Sequence, residues 1–342
     1  MTKHFRFLTL FTILLHACQP SASLAPTPAP VIPTATLTPS PSLAPPTQTL
    51  PPTSTPEPLP NIERVLIVSF DGLRPDAIEA ANMDSTMELM QTGAYTLTAQ
   101  TIDPSLTLPA HSSMLVGTCP AKHIVRWNVY VPENGFALGS DIFDLAHAAG
   151  LRTVFVTGKE KLRQVTEPTS TDFFEFIDRT DKIQDKTTVL RLALDQIAQG
   201  FGLMFVHFAE GDIEGHNKGW MSRAQLDVYG REDRGLGSMI QTLKDKGMYE
   251  TTLIIVTSDH GGHDSTHGTG LPDDMTIPWV INGPRILPGE LQTQVHIMDT
   301  AATAAFALGL PIPPEWDGIP VYEAFGLPVD FTRNGGCAGV TP

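Results

Sequence analysis

The chain has 342 residues, of which 22 are Lys or Arg and 37 are Asp or Glu, so its formal net charge is −15. Such an excess of negative charge excludes an extended nucleic-acid-binding surface and disfavours a bulk polyanionic partner. Loss of Lys3 and Arg6 with an N-terminal signal would bring the mature chain to −15 − 2 = −17. Small anions could still bind where cations gather locally.

The N-terminus has the layout of a secretory signal. Its two basic residues are followed by an apolar stretch over residues 7–15, which is too short to span a bilayer. The sequence Leu-His-Ala-Cys at 15–18 resembles a bacterial lipoprotein cleavage site, so residues 1–17 are predicted to be a lipoprotein signal peptide. Cys18 would become the acylated first residue. The protein is therefore expected to be extracytoplasmic and tethered to a membrane, at the cell surface or in the periplasm.

Residues 18–60 form a segment of unusual composition. Positions 19–60 hold 14 of the 30 prolines, interleaved with Thr, Ser and Ala, and a single charge at Glu57. Such a segment cannot bury a core and is predicted to be an extended tether, reaching up to about 130 Å at roughly 3.1 Å per residue. A pro-peptide or a glycosylated stalk is the alternative interpretation.

Residues 61–330 are long enough for one large α/β catalytic domain, and residues 331–342 are interpreted as a C-terminal tail. Apolar runs predict strands over 65–70, 152–157, 203–208 and 253–257. Helices are predicted over Pro75–Gln91, Asp141–Ala149, Thr187–Ala198, Arg223–Lys246 and Met298–Leu308. This alternation favours a mostly parallel sheet with helices on both faces.

Potential metal ligands follow three of these predicted strands. Asp71 comes directly after the first run, Asp212 lies in the loop after the third, and Asp259 and His260 follow the fourth. An isolated Asp after a strand is usually a turn former or a helix cap, but three such strands meet at one sheet edge and favour a metal site. Three acids, three imidazoles and one hydroxyl are about what two divalent cations need. The candidates are Asp71, Thr107, Asp212, His216, Asp259, His260 and His267.

Four motifs carry a family resemblance. They are FDGLRP at 70–75, PSLTLPAH at 104–111, DIEGH at 212–216 and SDHGGHDSTHG at 258–268. In this order they resemble the alkaline phosphatase superfamily, and Thr-x-Pro-x-His at 107–111 most resembles its type I phosphodiesterase and nucleotide pyrophosphatase branch. The resemblance implies a three-layer α/β/α sandwich with a mostly parallel sheet. It also implies a hydrolase that acts on a small phosphate ester or a nucleotide.

The resemblance also assigns roles to the candidate ligands. It places Asp212, His216 and His267 on one zinc ion, and Asp71, Asp259 and His260 on the other. Thr107 would reach the second zinc as the nucleophile and form a phosphothreonine intermediate. Carboxylates and imidazoles suit zinc, and metal coordination would let a threonine hydroxyl attack phosphorus near neutral pH.

The nucleophile is predicted to lie at the start of a helix. Pro109 predicts a helix with proline in its first turn that ends near Gly117. Thr107 would then lie where free amides favour an oxyanion, and an ordinary N-cap is compatible with that position. His111 is interpreted as structural. Asn128 matches a position where the branch places an amide against a nonbridging phosphoryl oxygen, and a plain loop asparagine is the open alternative.

Two choices at the site stay open. His267 is preferred over His263 as the third imidazole, and His296 is the remaining downstream candidate. Lys159 and Lys161 loosely resemble a Lys-x-Arg pair that some threonine-type phosphomonoesterases use, although a solvated helix-start position is favoured because lysine lacks the bidentate fork of arginine. The choice between diesters and monoesters therefore stays open.

The sequence also bears on three other protein classes and on one covalent link. A sulfatase would need Cys or Ser in a C/S-x-P-x-R context where this chain has Thr107-Leu-Pro-Ala-His, and a headgroup phosphotransferase would normally carry further membrane spans. A noncatalytic solute-binding lipoprotein would not need all seven candidate ligands. Cys119 and Cys337 could form a disulfide in an oxidising compartment, which the sequence leaves undecided.

Overall fold

The computed structural model describes residues 61–177, 188–329 and 337, all within one compact unit, Thr53–Pro342. The predicted signal peptide and tether, and the tail apart from Cys337, lie outside the described residues. Within the described ranges, no helix combines the length and the apolar composition needed to cross a bilayer.

One sheet organises the described residues. Its eight strands are β1 Arg64–Phe70, β2 Ala94–Gln100, β3 Thr153–Thr157, β4 Phe173–Phe176, β5 Leu203–Phe208, β6 Thr252–Thr257, β7 Thr276–Asn282 and β8 Gly289–Glu290. Their order across the sheet is β4-β3-β5-β1-β6-β7-β2-β8. Every neighbouring pair is parallel except the two pairs made by β7, so the sheet is mostly parallel, as predicted.

Ten α-helices occur in the described residues. They are α1 Ala77–Ala80, α2 Asp84–Thr92, α3 Thr107–Val116, α4 Pro120–His123, α5 Ile142–Ala148, α6 Thr188–Gln199, α7 Glu210–Lys218, α8 Arg223–Asp245, α9 Pro272–Met275 and α10 Asp299–Ala307. Short 3-10 helices cover Pro132–Asn134, Glu160–Gln164, Pro168–Ser170, Tyr249–Thr251 and Tyr322–Phe325.

Most helix predictions agree with the structure, and two were wrong. The helix predicted over Pro75–Gln91 is divided into α1 and α2, because Asn82 adopts a left-handed φ of 52° that no α-helix can contain. The segment bearing Asp212 was predicted as a loop but forms α7. Asp212 and His216 therefore lie four residues apart on one helix face.

The core lies on both faces of the sheet. Val65 and Ile67 of β1 belong to a buried cluster shared with α3, α5 and α10, whereas Leu66 and Val68 belong to one shared with α1, α2, α6 and α8. This alternation follows from the two-residue period of a strand, which turns successive side chains to opposite faces. Helices thus cover the sheet on both sides, and the three-layer α/β/α prediction is confirmed.

The three central strands deliver the candidate ligands to one edge. β1 lies between β5 and β6, in register, so that Ser69 pairs with both His207 and Thr257. Asp71 and Asp259 follow the ends of their strands by one or two residues, and Asp71 N donates to the carbonyl of Phe208 at 2.9 Å. These side chains are thus held at the ends of the three central strands of the sheet.

Candidate metal centre

The first group of ligand atoms comes from β1 and β6. His260 Nε2 lies 3.5 Å from Asp71 Oδ1 and 3.2 Å from Asp259 Oδ2, and all three residues are completely buried. His260 Nδ1 donates to the carbonyl of Gly261 at 2.7 Å, so Nε2 presents its lone pair to the carboxylates. These side chains form a compact set of potential ligands, the same three that the sequence assigned together.

A second group forms around Asp212 on α7. His267 Nε2 lies 3.5 Å from Asp212 Oδ1, and its Nδ1 donates to the carbonyl of Ser105 at 2.7 Å. The rings of His260 and His267 stack with centroids 3.7 Å apart. The compact grouping therefore contains Asp212, His260 and His267, where the sequence had expected His216 in place of His260.

His216 lies at the outer side of this second group. Its Nε2 is 3.4 Å from Asp212 Oδ1, and its Nδ1 donates to the carbonyl of Ser265 at 3.0 Å. The side chain is 43% exposed, whereas that of His267 is 5% exposed. His216 thus approaches the same carboxylate oxygen as His267, from the solvent side.

Three carboxylate oxygens show that this pocket suits cations. Asp71 Oδ1, Asp212 Oδ1 and Asp259 Oδ2 are buried and accept no hydrogen bond from the described residues. A buried polar atom without a partner costs about 1–3 kcal/mol, and a charged one costs more. Each of these oxygens instead faces an imidazole Nε2. Oxygen and imidazole donors that converge in this way fit divalent metal ions, and zinc among them.

The electrostatics of the carboxylates support the same conclusion. Burial favours the neutral form of Asp71, yet the Lys159 ammonium and a His207 hydrogen bond hold the pKa of this carboxyl well below its usual range. Burial and the Asp71 carboxylate raise the pKa of Asp259 to about 7. Carboxylates crowded in a buried site repel one another, and bound cations would relieve that repulsion.

Thr107 lies beside the first group as the first residue of α3. Its Oγ1 is 3.3 Å from His260 Nε2 and 3.3 Å from Lys159 Nζ. Every residue of α3 is buried, and the helix ends at Gly117, whose φ of 69° forms a left-handed cap. The hydroxyl therefore stands at a helix N-terminus, among the candidate ligands.

Lys159 and Lys161 were predicted to be solvated residues at a helix start, and for Lys159 that prediction was wrong. Lys159 Nζ lies 2.6 Å from Asp71 Oδ2 and 2.6 Å from Asp212 Oδ2, with its side chain 12% exposed. Although burial opposes its charge, these two carboxylates raise the pKa of Lys159 above its usual range. The cause is topological: Lys159 follows β3, which pairs with β5 and so ends at the same sheet edge.

Asn128 is held at the N-terminus of α3. Its Oδ1 accepts hydrogen bonds from Leu108 N at 2.9 Å and from Lys161 Nζ at 3.0 Å. Two donors on one oxygen fix the orientation of the amide and leave the Nδ2 protons as its hydrogen-bond donors. Burial and the charge of Lys159 lower the pKa of Lys161 to about 8.

Comparison with known proteins identifies the family. The model of the family described as "Type I phosphodiesterase / nucleotide pyrophosphatase" matches residues 65–271. The chain belongs to this family. It is 27% identical to human "GPI ethanolamine phosphate transferase 2, catalytic subunit" over 286 residues, 78% of this chain and 28% of the relative. It is 22% identical to mouse "Bis(5'-adenosyl)-triphosphatase enpp4" over 218 residues, 58% of this chain and 47% of the relative.

Solved structures agree on the fold. A murine ectonucleotide pyrophosphatase / phosphodiesterase 5, solved in complex with AMP, superposes with a TM-score of 0.62 at 14% identity, covering 78% of this chain and 99% of that one. The phosphonate monoester hydrolase of Silicibacter pomeroyi superposes with a TM-score of 0.63 at 16% identity, covering 79% and 78%. The chain therefore shares its overall fold with these two enzymes.

Two further buried histidines form hydrogen bonds with residues of the candidate site. His207 Nδ1 accepts from Gly158 N at 3.2 Å, so Nε2 carries the proton and donates to Asp71 Oδ2 at 2.9 Å. His111 Nδ1 donates to the carbonyl of Thr107 at 2.8 Å, and burial lowers its pKa to about 4. His111, which the sequence analysis interpreted as structural, is completely buried. His207 was missed, because a histidine inside an apolar run gives no sign of what it faces.

The competing histidines lie elsewhere. His263 Nδ1 is 2.7 Å from Asp274 Oδ1, and this hydrogen bond raises its pKa. His296 forms a single parallel bridge with Gln100 outside the strands of the sheet, and its backbone N–H donates to Asp299 Oδ2 at 2.7 Å. Neither belongs to a ligand group within the described residues, whereas the preferred His267 does.

Trp220 packs against the two histidines next to Asp212. Its indole N–H donates to the carbonyl of Gly72 at 2.9 Å, and its ring centroid is 5.1 Å from that of His216 and 5.7 Å from that of His267. Gly262 is required here, because a β-carbon would come within 2.1 Å of the indole. Trp220 itself is buried.

A disulfide joins Cys119 to Cys337, which resolves the pairing that the sequence left open. Cys119 precedes α4, and its backbone N–H donates to Asp317 Oδ2 at 2.8 Å. The bond therefore ties the segment after α3 to the C-terminal part of the chain across 218 residues.

Proposed function

We propose that this protein is a metal-dependent phosphoester hydrolase that cleaves phosphodiesters or nucleotide pyrophosphate bonds through a phosphothreonine at Thr107. One observation carries the proposal. The Thr107 hydroxyl stands at a helix N-terminus, 3.3 Å from His260 Nε2, next to three buried carboxylate oxygens that accept no hydrogen bond from the described residues. Family membership and a murine structural relative solved with AMP support a nucleotide-type substrate.

The proposed cofactor is a pair of divalent cations, with zinc as the natural ion. Asp71, Asp259 and His260 would hold one, with Thr107 beside it, and Asp212, His267 and His216 would hold the other. Such ions supply Lewis-acid stabilisation of phosphoryl oxygens and lower the pKa of a nearby hydroxyl. The second set keeps His216 because its Nε2 shares Asp212 Oδ1 with His267.

The chain's own residues account for the other requirements. Thr107 Oγ1 gives its proton to solvent and attacks phosphorus, and the phosphothreonine forms as the bond to the leaving oxygen breaks and that oxygen takes up a proton. Water then attacks phosphorus and breaks its bond to Thr107 Oγ1, which restores the Thr107 hydroxyl and releases a phosphate monoester. Lys159 Nζ, 3.3 Å from the hydroxyl, stabilises negative charge there, and the Asn128 amide donates to a nonbridging oxygen. Because Leu108 N and Lys161 Nζ hold Asn128 Oδ1, this donor is fixed before the substrate arrives.

The test compares Thr107→Ala with Thr107→Ser and Ser112→Ala in the zinc-loaded full chain. Ser112 provides a matched control because its buried hydroxyl bonds to the Leu108 carbonyl one turn away. We expect Thr107→Ala to bind zinc but to lose about 1,000-fold or more in kcat for bis-p-nitrophenyl phosphate. Thr107→Ser should keep part of the activity, Ser112→Ala most of it, and chelator should abolish it in each. Normal turnover by Thr107→Ala would refute the mechanism, and no turnover by the wild type would favour a solute-binding protein.

The position of the two lysines favours a second candidate, a phosphomonoesterase. Lys159 Nζ contacts Thr107 Oγ1 and Lys161 Nζ contacts Asn128 Oδ1, so two ammonium groups surround the place proposed for the phosphoryl group. A monoester dianion needs more cationic contact than a diester monoanion. Preference for p-nitrophenyl phosphate over the diester, lost in Lys161→Met, would select this candidate.

Phosphoryl transfer to an alcohol shares the same intermediate. The 27% identity to human GPI ethanolamine phosphate transferase 2 motivates its inclusion in the assay. Adding ethanolamine or glycerol to the diester reaction separates the outcomes, because a transferase forms a new phosphodiester whereas a hydrolase releases p-nitrophenyl phosphate. A sulfatase is disfavoured because Thr107 occupies the position where such an enzyme needs Cys or Ser.

We also propose an extracytoplasmic, membrane-tethered lipoprotein anchored through Cys18. The disulfide between Cys119 and Cys337 supports an oxidising compartment. Labelling of cells with an alkyne fatty acid should mark the wild type and leave Cys18→Ser unmarked. Equal labelling of the two would contradict the anchor.

A further inference from the structure

Gln164 is the last residue of the Glu160–Gln164 3-10 helix, and its side-chain amide forms hydrogen bonds with backbone groups and with one indole. Gln164 Oε1 accepts from Trp127 Nε1 at 3.1 Å and from Val131 N at 2.8 Å. Gln164 Nε2 donates to the carbonyls of Val131 and Gly135, each at 2.7 Å. The side chain is 1% exposed, so the amide makes all four of its hydrogen bonds away from water.

These partners belong to one loop, which spans residues 123–138. Leu138 N donates to the carbonyl of His123 at 3.0 Å and closes the loop at its base, while Ala137 N donates to the carbonyl of Gln164 at 2.8 Å. Asn128 lies in this loop, directly after Trp127, whose indole N–H donates to Gln164. The loop has no strand and little helix of its own, so these contacts define its shape.

The same short helix reaches the phosphoryl site at its other end. Lys161 Nζ contacts Asn128 Oδ1 at 3.0 Å, and Lys159, the residue before the helix, contacts Asp71 and Asp212. The segment 159–164 is therefore attached to the ligand carboxylates at one end and to the Asn128 loop at the other. A shift in the position of the Gln164 side chain would therefore move Asn128 relative to Thr107.

We infer that Gln164 is a positioning residue that fixes the Asn128 donor against the phosphoryl group during transfer. The inference rests on the proposed function, because it gives Asn128 its role at a nonbridging oxygen. The side-chain hydrogen bonds of Gln164 all go to the loop, so Gln164 would act on the phosphoryl group through Asn128. A donor displaced by about 1 Å can cost about 100-fold in rate.

A double-mutant cycle on the zinc-loaded full chain tests this inference. Its members are the wild type, Asn128→Ala, Gln164→Met and the double variant, with kcat and KM measured on bis-p-nitrophenyl phosphate. We expect Gln164→Met to lower kcat about 10- to 100-fold in the wild-type background. In the Asn128→Ala background the same change should lower kcat less than about twofold, because the donor it positions is already gone.

Two controls separate this role from general stability. Gln196→Met removes another buried amide, one that pairs with Arg152 on the far side of the sheet, and should leave kcat unchanged. If Gln164→Met does not fold, Gln164→Glu preserves the shape of the side chain. Its rate relative to the wild type should fall as pH rises, because an ionised carboxylate repels the carbonyls of Val131 and Gly135.

Each result has a distinct meaning. Equal fold losses for Gln164→Met in the two backgrounds, an unchanged kcat, or a flat pH ratio for Gln164→Glu would overturn the positioning role while the wild type still turned over substrate. Absence of turnover in the wild type, or full activity in Thr107→Ala, would instead overturn the proposed function itself.

Discussion

Removal of the Lys159 ammonium should destabilise the metal-free protein strongly. Lys159 Nζ lies 2.6 Å from one oxygen of each of its two carboxylate partners. At an effective dielectric constant of about 20, two unit charges at that distance attract each other by about 6 kcal/mol before the cost of desolvation is subtracted. Lys159→Met leaves Asp71 and Asp212 buried without this partner, and breaking a buried pair from one side costs about 3–5 kcal/mol net. For a domain of this size we expect Tm to fall by about 6–20 °C.

The assay is thermal unfolding of the full chain, first with chelator and then with saturating zinc. Divalent cations would neutralise the same carboxylates, so zinc should raise the Tm of Lys159→Met more than that of the wild type. Lys246→Met, at an exposed position after α8, is the matched control and should behave as the wild type does in both conditions. A chelated Lys159→Met that is no less stable than Lys246→Met, or an equal zinc effect in all three proteins, would refute the reasoning.

Three further predictions concern separate parts of the molecule. His267→Ala should lower zinc stoichiometry by elemental analysis while His263→Ala retains it, and the reverse pattern would exchange their roles. Alkylation followed by mass measurement should show Cys119 and Cys337 blocked until reduction, whereas two free thiols in the native protein would exclude the disulfide. Burial lowers the pKa of His123 from 6.5 to about 4, so between these values the unfolded chain binds a proton that the folded chain does not. Stability should therefore fall as pH drops from 6.5 to 4, by up to about 3 kcal/mol more in the wild type than in His123→Gln, and parallel urea-unfolding profiles would contradict this.

The strands that carry the ligands could be predicted because their signal is local. β1, β5 and β6 are continuous apolar runs, and a sheet buried on both faces requires such runs. Parallel pairing of these strands then places Asp71 and Asp259 at one edge. The four motifs, in their order along the chain, were sufficient to predict the family.

The helix α7 could not be predicted from its residues. Its sequence, EGDIEGHNK, has two glycines and mostly polar side chains, which favour a loop. In the structure Gly211 packs against Tyr229 of α8, and a β-carbon there would come within 2.0 Å of the ring. Packing against α8 therefore requires glycine at position 211, although glycine lowers the intrinsic stability of α7.

The supporting residues of the site escaped prediction for a related reason. Lys159 meets Asp212 across 53 residues of sequence, and His207 meets Asp71 across 136. Neither contact has a periodic pattern or a motif, because each depends on which strands become neighbours. The solvated interpretation of Lys159 failed because it treated the segment after β3 as if it stood alone.

The burial of Trp220 between the backbone of Gly72 and two candidate ligand imidazoles gives the centre an optical reporter. A cation bound by His216 or His267 changes the charge and the motion of a ring whose centroid lies 5.1 or 5.7 Å from that of the indole, and tryptophan emission responds to both. The other tryptophans, Trp127, Trp279 and Trp316, provide a background that Trp220→Phe would leave in place. Occupancy of this centre can therefore be followed by intrinsic fluorescence in the unlabelled protein, independently of any substrate.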